Sequence, residues 1–119
     1  MPVYRSVKVV VENNTNAQMT MEGFECLQGQ WLDKTAPNQG AQILRQSSQS
    51  FSTESQTLGT GTSAFIHLGS VYGYTKISWA LPWVGELQCT AECPQGMHAQ
   101  VQVDAQCPDA VVVAVVLTK

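Results

Sequence analysis

Residues 4–12, YRSVKVVVE, and residues 110–117, AVVVAVVL, decide the fold. In the first stretch Val7, Val9 and Val11 lie on one side and the intervening residues on the other, which is the period of two expected of a β-strand. The second stretch is apolar on both faces, as is typical of a strand at the centre of a sheet. Together they predict a protein built from β-structure.

The rest of the chain follows the same pattern of short strands and turn residues. Turn signals about every 8–12 residues are typical of a sandwich or a barrel, and 119 residues fit one domain. Of the two, we predict a single antiparallel β-sandwich over residues 1–119. Eight strands are expected, at residues 4–12, 17–25, 41–46, 49–56, 62–68, 74–79, 97–104 and 110–117, with loops at 28–40 and 85–96. The predicted core residues are Val7, Val9, Val11, Ile66, Ile77, Val101, Val103, Val113 and Val115.

Charge and hydropathy exclude several classes of partner. The net charge is −3 and the six basic residues are scattered, so we expect no nucleic-acid partner and no polybasic membrane anchor. No apolar run approaches the length of a membrane span. The N-terminus has no hydrophobic leader segment, which predicts a cytosolic protein, export without a leader, or a mature form.

The sequence carries no recognisable catalytic constellation. It has no nucleophile elbow, no phosphate-cradling loop and no usefully spaced carboxylate pair. The Gly-rich segment 59–63 precedes a predicted strand and not a helix, so it offers no helix N-terminus to a phosphate. We therefore predict a binding protein that is not an enzyme and has no cofactor.

The four cysteines leave their redox state open. Cys26, Cys89, Cys93 and Cys107 permit three pairings, and the sequence supports either bridges or free thiols. A single strand between Cys93 and Cys107 would hold them too far apart to bond. A bridge between them needs the segment to fold back, and Cys89–Cys93 or Cys26 with one of the others are rival pairs. The spacing of the last three cysteines around His98 is irregular for a zinc knuckle, so no metal site is predicted.

Aromatic residues in the loops form the candidate site. Trp31, Tyr72, Tyr74 and Trp83 accompany glycines in turn segments, whereas Trp79 lies in a strand and is expected in the core. Such rings favour positions with one apolar and one wet side. They either plug the open ends of the sandwich or form an exposed ligand-binding patch, and we choose the four loop aromatics as the predicted ligand-binding residues.

Several short segments in order resemble the aegerolysin-type proteins. They are RSVKVVVENNT at 5–15, GQW at 29–31, SFSTES at 50–55, GTGTSAF at 59–65 and ISWALPWVG at 77–85. The resemblance covers roughly residues 5–88 and rests on the order and spacing of the segments.

This resemblance implies a fold and a function. Aegerolysin-type proteins are haemolysin-like sandwiches of the actinoporin kind that bind membrane lipids, notably sphingolipids, and some form pores with a larger partner protein. It therefore implies a lipid-binding, cytolysin-like protein that acts at membrane surfaces. The alternative hypothesis is a lectin-like or inhibitor-like interaction module on the same sandwich.

Overall fold

A computed structural model describes residues 2–119 and contains two five-stranded sheets. The first sheet has the order β3-β5-β1-β10-β9, and the second the order β4-β2-β6-β7-β8. A short 3-10 turn covers Asp33–Thr35. The strands are β1 Arg5–Asn13, β2 Met19–Gln28, β3 Gln30–Trp31, β4 Gln42–Ile43, β5 Ser47–Ser55, β6 Thr62–Ser70, β7 Gly73–Leu81, β8 Gln88–Glu92, β9 His98–Asp104 and β10 Ala110–Thr118.

The predicted β-sandwich is confirmed, with one change in strand direction. β1 pairs with β5 in antiparallel register but with β10 in parallel register, so that Val9 lies opposite Phe51 on one side and Val113 on the other. The first sheet is therefore mixed: the β1–β10 pair departs from the predicted antiparallel arrangement, which dominates both sheets. The strongly apolar β10 lies between β1 and β9, in the central position that its sequence predicted.

The strand count is ten and not eight, because two predicted loops contain short strands. β3 lies in the predicted loop 28–40, and β8 lies in the predicted loop 85–96. A two-residue strand shows no alternation. β8 reads Gln-Cys-Thr-Ala-Glu, with small half-buried residues where an alternating pattern needs large apolar ones.

The core lies between the sheets and contains most of the predicted residues. Seven of the nine predicted residues are buried, and so is Trp79, another residue expected in the core. The seven are Val7, Val9, Val11, Ile66, Ile77, Val113 and Val115. Two predictions are wrong: Val101 is only half-buried and Val103 is 49% exposed. Both lie on the inner face of β9, opposite Val115 and Val113. The facing strand β8 begins only at Gln88, so it does not cover the end of β9 that holds Val103.

The loops gather at two opposite ends of the sandwich. The tryptophan end holds the segment before Arg5 and the loops 56–61, 82–87 and 105–109. The tyrosine end holds the loops 14–18, 44–46, 71–72 and 93–97. β7 runs from one to the other, and a nine-residue strand spans about 26 Å.

Candidate functional site

Trp83 lies at the tryptophan end, in the loop that follows β7. Its ring is half-buried and meets Tyr4 edge-on, with 6.0 Å between the ring centroids. The Arg5 guanidinium carbon lies 4.0 Å from the indole centroid, a cation–π contact. The next residue, Val84, is 83% exposed at the tip of the loop.

Arg5 fixes this loop to two other segments. Its Nη2 donates to the Trp83 carbonyl oxygen at 2.8 Å, and its Nη1 donates to the Tyr4 carbonyl oxygen at 2.7 Å. The same Nη1 lies 3.2 Å from Oδ1 of Asp109, which precedes β10. The arginine charge is thus offset by a carboxylate and both terminal nitrogens are engaged, so Trp83 is held in place by a locally neutral arrangement.

An apolar groove opens beside this loop, between the two sheets. It has a volume of about 550 Å³ and lies where β8 leaves the inner face of β9 uncovered. Its one charged lining residue is Glu86. The lining residues are Leu81, Gly85, Glu86, Leu87, Val103, Ala105, Pro108 and Val111. Val103, predicted for the core, is therefore a wall of an open groove.

Sequence reasoning missed this groove. Its walls come from two loops and the ends of three strands, β7, β9 and β10, and only their approach in space creates it. A partial signal was present: Gly85 and Pro108 interrupt strand structure beside Leu87 and Ala105, small or apolar residues without a predicted strand to bury them.

Trp31 lies towards the tryptophan end but turns its ring to the core. Gly29, at φ +82°, makes the tight turn before β3, where a Cβ would collide with the Glu54 carbonyl oxygen. The Trp31 ring then meets Phe24 and Trp79 edge-on, with centroid separations of 6.2 and 5.9 Å. This half-buried ring closes the side of the sandwich.

Tyr72 and Tyr74 lie at the tyrosine end, across the length of β7 from Trp83. Tyr72 is half-buried and packs on the core, and the Lys119 Nζ lies 4.8 Å from its ring centroid. Tyr74 is 67% exposed and its ring lies 6.3 Å from that of His67. The structure therefore does not bring the four predicted aromatics into one patch.

All four cysteines are free thiols. Cys93 lies in a loop at the tyrosine end and Cys107 in a loop at the tryptophan end, on either side of β9. Burial raises the pKa of Cys89 to about 11, and burial also raises the pKa of Cys26 and Cys93. Within residues 2–119 no three His, Cys, Asp or Glu side chains are grouped so as to hold a metal ion.

Two five-stranded sheets with an apolar groove at one open end define a β-sandwich domain. No protein-family model matches the chain, and no curated protein matches it in sequence. Among solved structures the chain is similar to the crystal structure of the lipid binding protein Nakanori, with a TM-score of 0.74. The match covers 99% of this chain and 73% of that one at 15% identity, which shows a shared fold. No helix within residues 2–119 is both long and apolar enough to span a bilayer.

Proposed function

We propose that this protein binds membrane lipid, without catalysis, through its tryptophan end. The observation that carries the proposal is the open apolar groove beside the Trp83 loop. When a hydrocarbon segment fills an uncovered apolar groove, apolar surface is removed from water. This burial favours binding by about 25 cal/mol for each Å². The Nakanori structure, a lipid binding protein with the same fold, supports the same class of ligand.

The surface around the groove supports contact with a bilayer. Val84, Leu58 and Val3 project from three separate segments at this end and are 83%, 70% and 49% exposed. Trp83 lies among them with its ring half-buried, the setting in which indoles favour the interface between hydrocarbon and water. With a net charge of −3, the protein must gain affinity from apolar contacts and not from attraction to anionic lipid.

The four predicted ligand-binding residues have different roles if lipid binds at the tryptophan end. Trp83 is assigned direct lipid contact. Trp31 is assigned a supporting role from the core side. Tyr72 and Tyr74 belong to the opposite end and contact lipid only if that end is the binding surface.

The choice of lipid and the effect on the membrane rest on the resemblance to the aegerolysin-type proteins. On that ground we propose a sphingolipid as the preferred lipid, and cytolysis together with a larger pore-forming partner as the outcome. Release of a trapped dye from sphingomyelin-containing vesicles, with the protein alone and then with such a partner, tests this step separately from binding.

The binding surface is tested by matched charges placed at the two ends. Val84→Asp changes the tip of the Trp83 loop, and Val71→Asp changes an 86% exposed valine at the tyrosine end. We expect wild type to co-sediment with phosphatidylcholine–sphingomyelin vesicles, and Val84→Asp to reduce binding by about tenfold or more, since a carboxylate at an apolar interface costs more than about 1.4 kcal/mol. Val71→Asp should bind like wild type.

Each other outcome would overturn a defined part of the proposal. If Val71→Asp loses binding and Val84→Asp keeps it, the lipid surface is the tyrosine end. If wild type sediments with no vesicle tested, the protein is not a lipid-binding protein.

A further inference from the structure

The outer face of the second sheet carries a row of rings far from the groove. Phe65 and His67 project outward from β6, because they alternate with the buried Ala64, Ile66 and Leu68. Tyr74 projects from the neighbouring strand β7. We call these three residues, Phe65, His67 and Tyr74, the aromatic row. Adjacent ring centroids are 6.3 Å apart at both steps, so the rings form a continuous strip.

Positively and negatively charged side chains border the aromatic row. The Lys76 Nζ lies 4.8 Å from the Phe65 centroid, and Lys76 is in register with Glu92 on β8. At the other end, the Glu22 carboxylate lies directly over Gly69, where only the absence of a side chain leaves room for it. The row is thus flanked by one ammonium donor and by carboxylate acceptors.

Two shallow depressions lie at the ends of the row. One, of about 300 Å³, is lined by Phe65, Lys76, Ser78 and Thr90, among other residues. The second, of about 390 Å³, is bounded by Tyr74 with Glu22, Ser70 and other residues. Each depression therefore combines an aromatic surface with charged groups and hydroxyls.

We propose that the aromatic row is a binding site for a saccharide. A pyranose ring has apolar C–H faces, which stack on aromatic rings, and a rim of hydroxyls, which both donate and accept hydrogen bonds. The row offers rings at its centre with the Lys76 ammonium and the Glu22 carboxylate beside them, which matches both properties. A sheet face also holds these groups in fixed positions, which lowers the entropy lost on binding.

The charges favour a saccharide over single-stranded nucleic acid, whose bases also stack on aromatic rings. Single-stranded nucleic acid needs basic side chains along its phosphates. Here one lysine is bordered by Glu92 in register, and Glu25 is in register with Phe65 on the opposite side. Phosphates would meet carboxylates on both flanks, whereas a neutral sugar would find hydrogen-bond acceptors there.

The site is separate from the proposed lipid surface. The aromatic row lies on the outer face of β6 and β7, and the groove lies between the sheets at the tryptophan end. The saccharide that binds this face is either a soluble glycan or the headgroup of a glycolipid. Binding to free glycans and to glycolipid vesicles distinguishes the two.

The test uses the whole chain on an array of immobilised neutral and acidic oligosaccharides. Tyr74→Ala and His67→Ala remove exposed rings, and Val112→Ala, on the outer face of the first sheet, is the matched control. We expect wild type and Val112→Ala to bind at least one neutral glycan alike, and Tyr74→Ala to bind it roughly tenfold more weakly, the order of loss that follows removal of one stacking ring. His67→Ala should weaken it in the same direction.

Vesicles with and without a neutral glycosphingolipid then separate the sources. A glycan that binds only when displayed on vesicles identifies a glycolipid, and a glycan that also binds free in solution identifies a soluble ligand. Tyr74→Ala should keep wild-type binding to vesicles without glycolipid, and Val84→Asp should keep wild-type binding on the array, so the two proposals fail independently. If wild type binds no glycan in either format, or if Tyr74→Ala binds as wild type does, the saccharide site is refuted.

Discussion

The indole Nε1 of Trp79 donates a hydrogen bond to Oγ1 of Thr53 at 3.1 Å, and this bond joins the two sheets through the core. Trp79 lies on β7 of the second sheet and Thr53 on β5 of the first, and both are buried. Thr53 is also the partner of Trp31 in the β3–β5 pairing, so one threonine positions two tryptophans.

Removal of the Thr53 hydroxyl should destabilise the fold. Thr53→Val leaves the indole N–H buried without a partner, which costs about 1–3 kcal/mol of the free energy of unfolding. Urea unfolding should show a lower midpoint with an unchanged slope. Thr53→Ser keeps the hydroxyl and is the control. Equal stability of the Val and Ser variants would show that the hydrogen bond contributes nothing.

Asn13 should not tolerate a carboxylate. Its buried Nδ2 donates to the carbonyl oxygens of Ala17 at 2.8 Å and Ile43 at 3.1 Å, while its Oδ1 accepts from the Thr15 hydroxyl at 2.6 Å. Asn13→Asp places a charged acceptor against these carbonyls and should cost about 3 kcal/mol or more at pH 7.

The pH dependence of this variant gives a second readout. Burial should raise the pKa of the new carboxyl above its unfolded value, so the variant regains stability relative to wild type as pH falls and the carboxyl takes up a proton. Melting temperatures of both proteins at pH 7 and pH 4 measure the difference. A gap that does not narrow at pH 4 would contradict this account.

Filling the groove should reduce lipid binding while leaving the fold intact. Val103→Phe extends a half-exposed wall residue into the open space, where no core side chain stands in its way. We expect vesicle co-sedimentation to fall severalfold with an unchanged melting temperature. Val112→Phe adds the same volume on the outer face of the adjacent strand and is the control. Full binding by Val103→Phe would place the lipid contact outside the groove.

Trp31→Ala should act mainly on stability. The ring packs edge-on against both Phe24 and Trp79, so its loss removes two aromatic contacts and opens a cavity at the side of the core. Chemical denaturation should report a loss of about 2–3 kcal/mol, below the cost for a wholly buried tryptophan because this one is half-buried. Trp31→Phe should lose less. A wild-type melting temperature for Trp31→Ala, together with lost lipid binding, would instead assign the ring to the ligand site.

Cys89 should be the least reactive thiol and should make stability depend on alkaline pH. Because burial raises its pKa from 9.0 to about 11, the folded state holds its proton while the unfolded state loses it. The stabilising contribution is complete below about pH 9 and is lost as pH rises through about 11. Cys89→Ala should flatten this part of the profile.

Thiol labelling gives the matching kinetic test. Iodoacetamide at pH 8 should modify the exposed Cys107 first and Cys89 last, because the thiolate is the reacting form. Peptide mass spectrometry over time gives the order, and labelling of Cys89 as fast as that of Cys107 would contradict it.

The sequence predicted the faces of the strands better than their partners. Alternation in β1 correctly predicted the burial of Val7, Val9 and Val11, since each pattern depends only on neighbours in the chain. It did not predict the parallel partner β10, nor the exposure of Val103, because both depend on which distant strand lies opposite. Val103 repeats the alternation of Val101 and differs only in what covers it.

The site was predictable only as a set of residue types. The sequence indicated rings beside turns, and the structure places Trp83 in a loop and Tyr74 near the start of β7. It could not show that these residues lie at opposite ends, because that depends on the direction of β7 between them. Only a partial signal for the groove is present in the sequence, since the groove depends on the approach of two loops to the ends of β7, β9 and β10.

The parallel pair β1 and β10 also limits when the protein can fold. During synthesis β1 is made well before β10, whose residues 110–117 pair with residues 6–13. Until then a nascent chain carries a valine-rich strand with one unpaired edge, a surface that chaperones recognise and that invites aggregation. Completion of the first sheet therefore waits for β10, and a ribosome stalled before residue 110 should present a protease-sensitive chain.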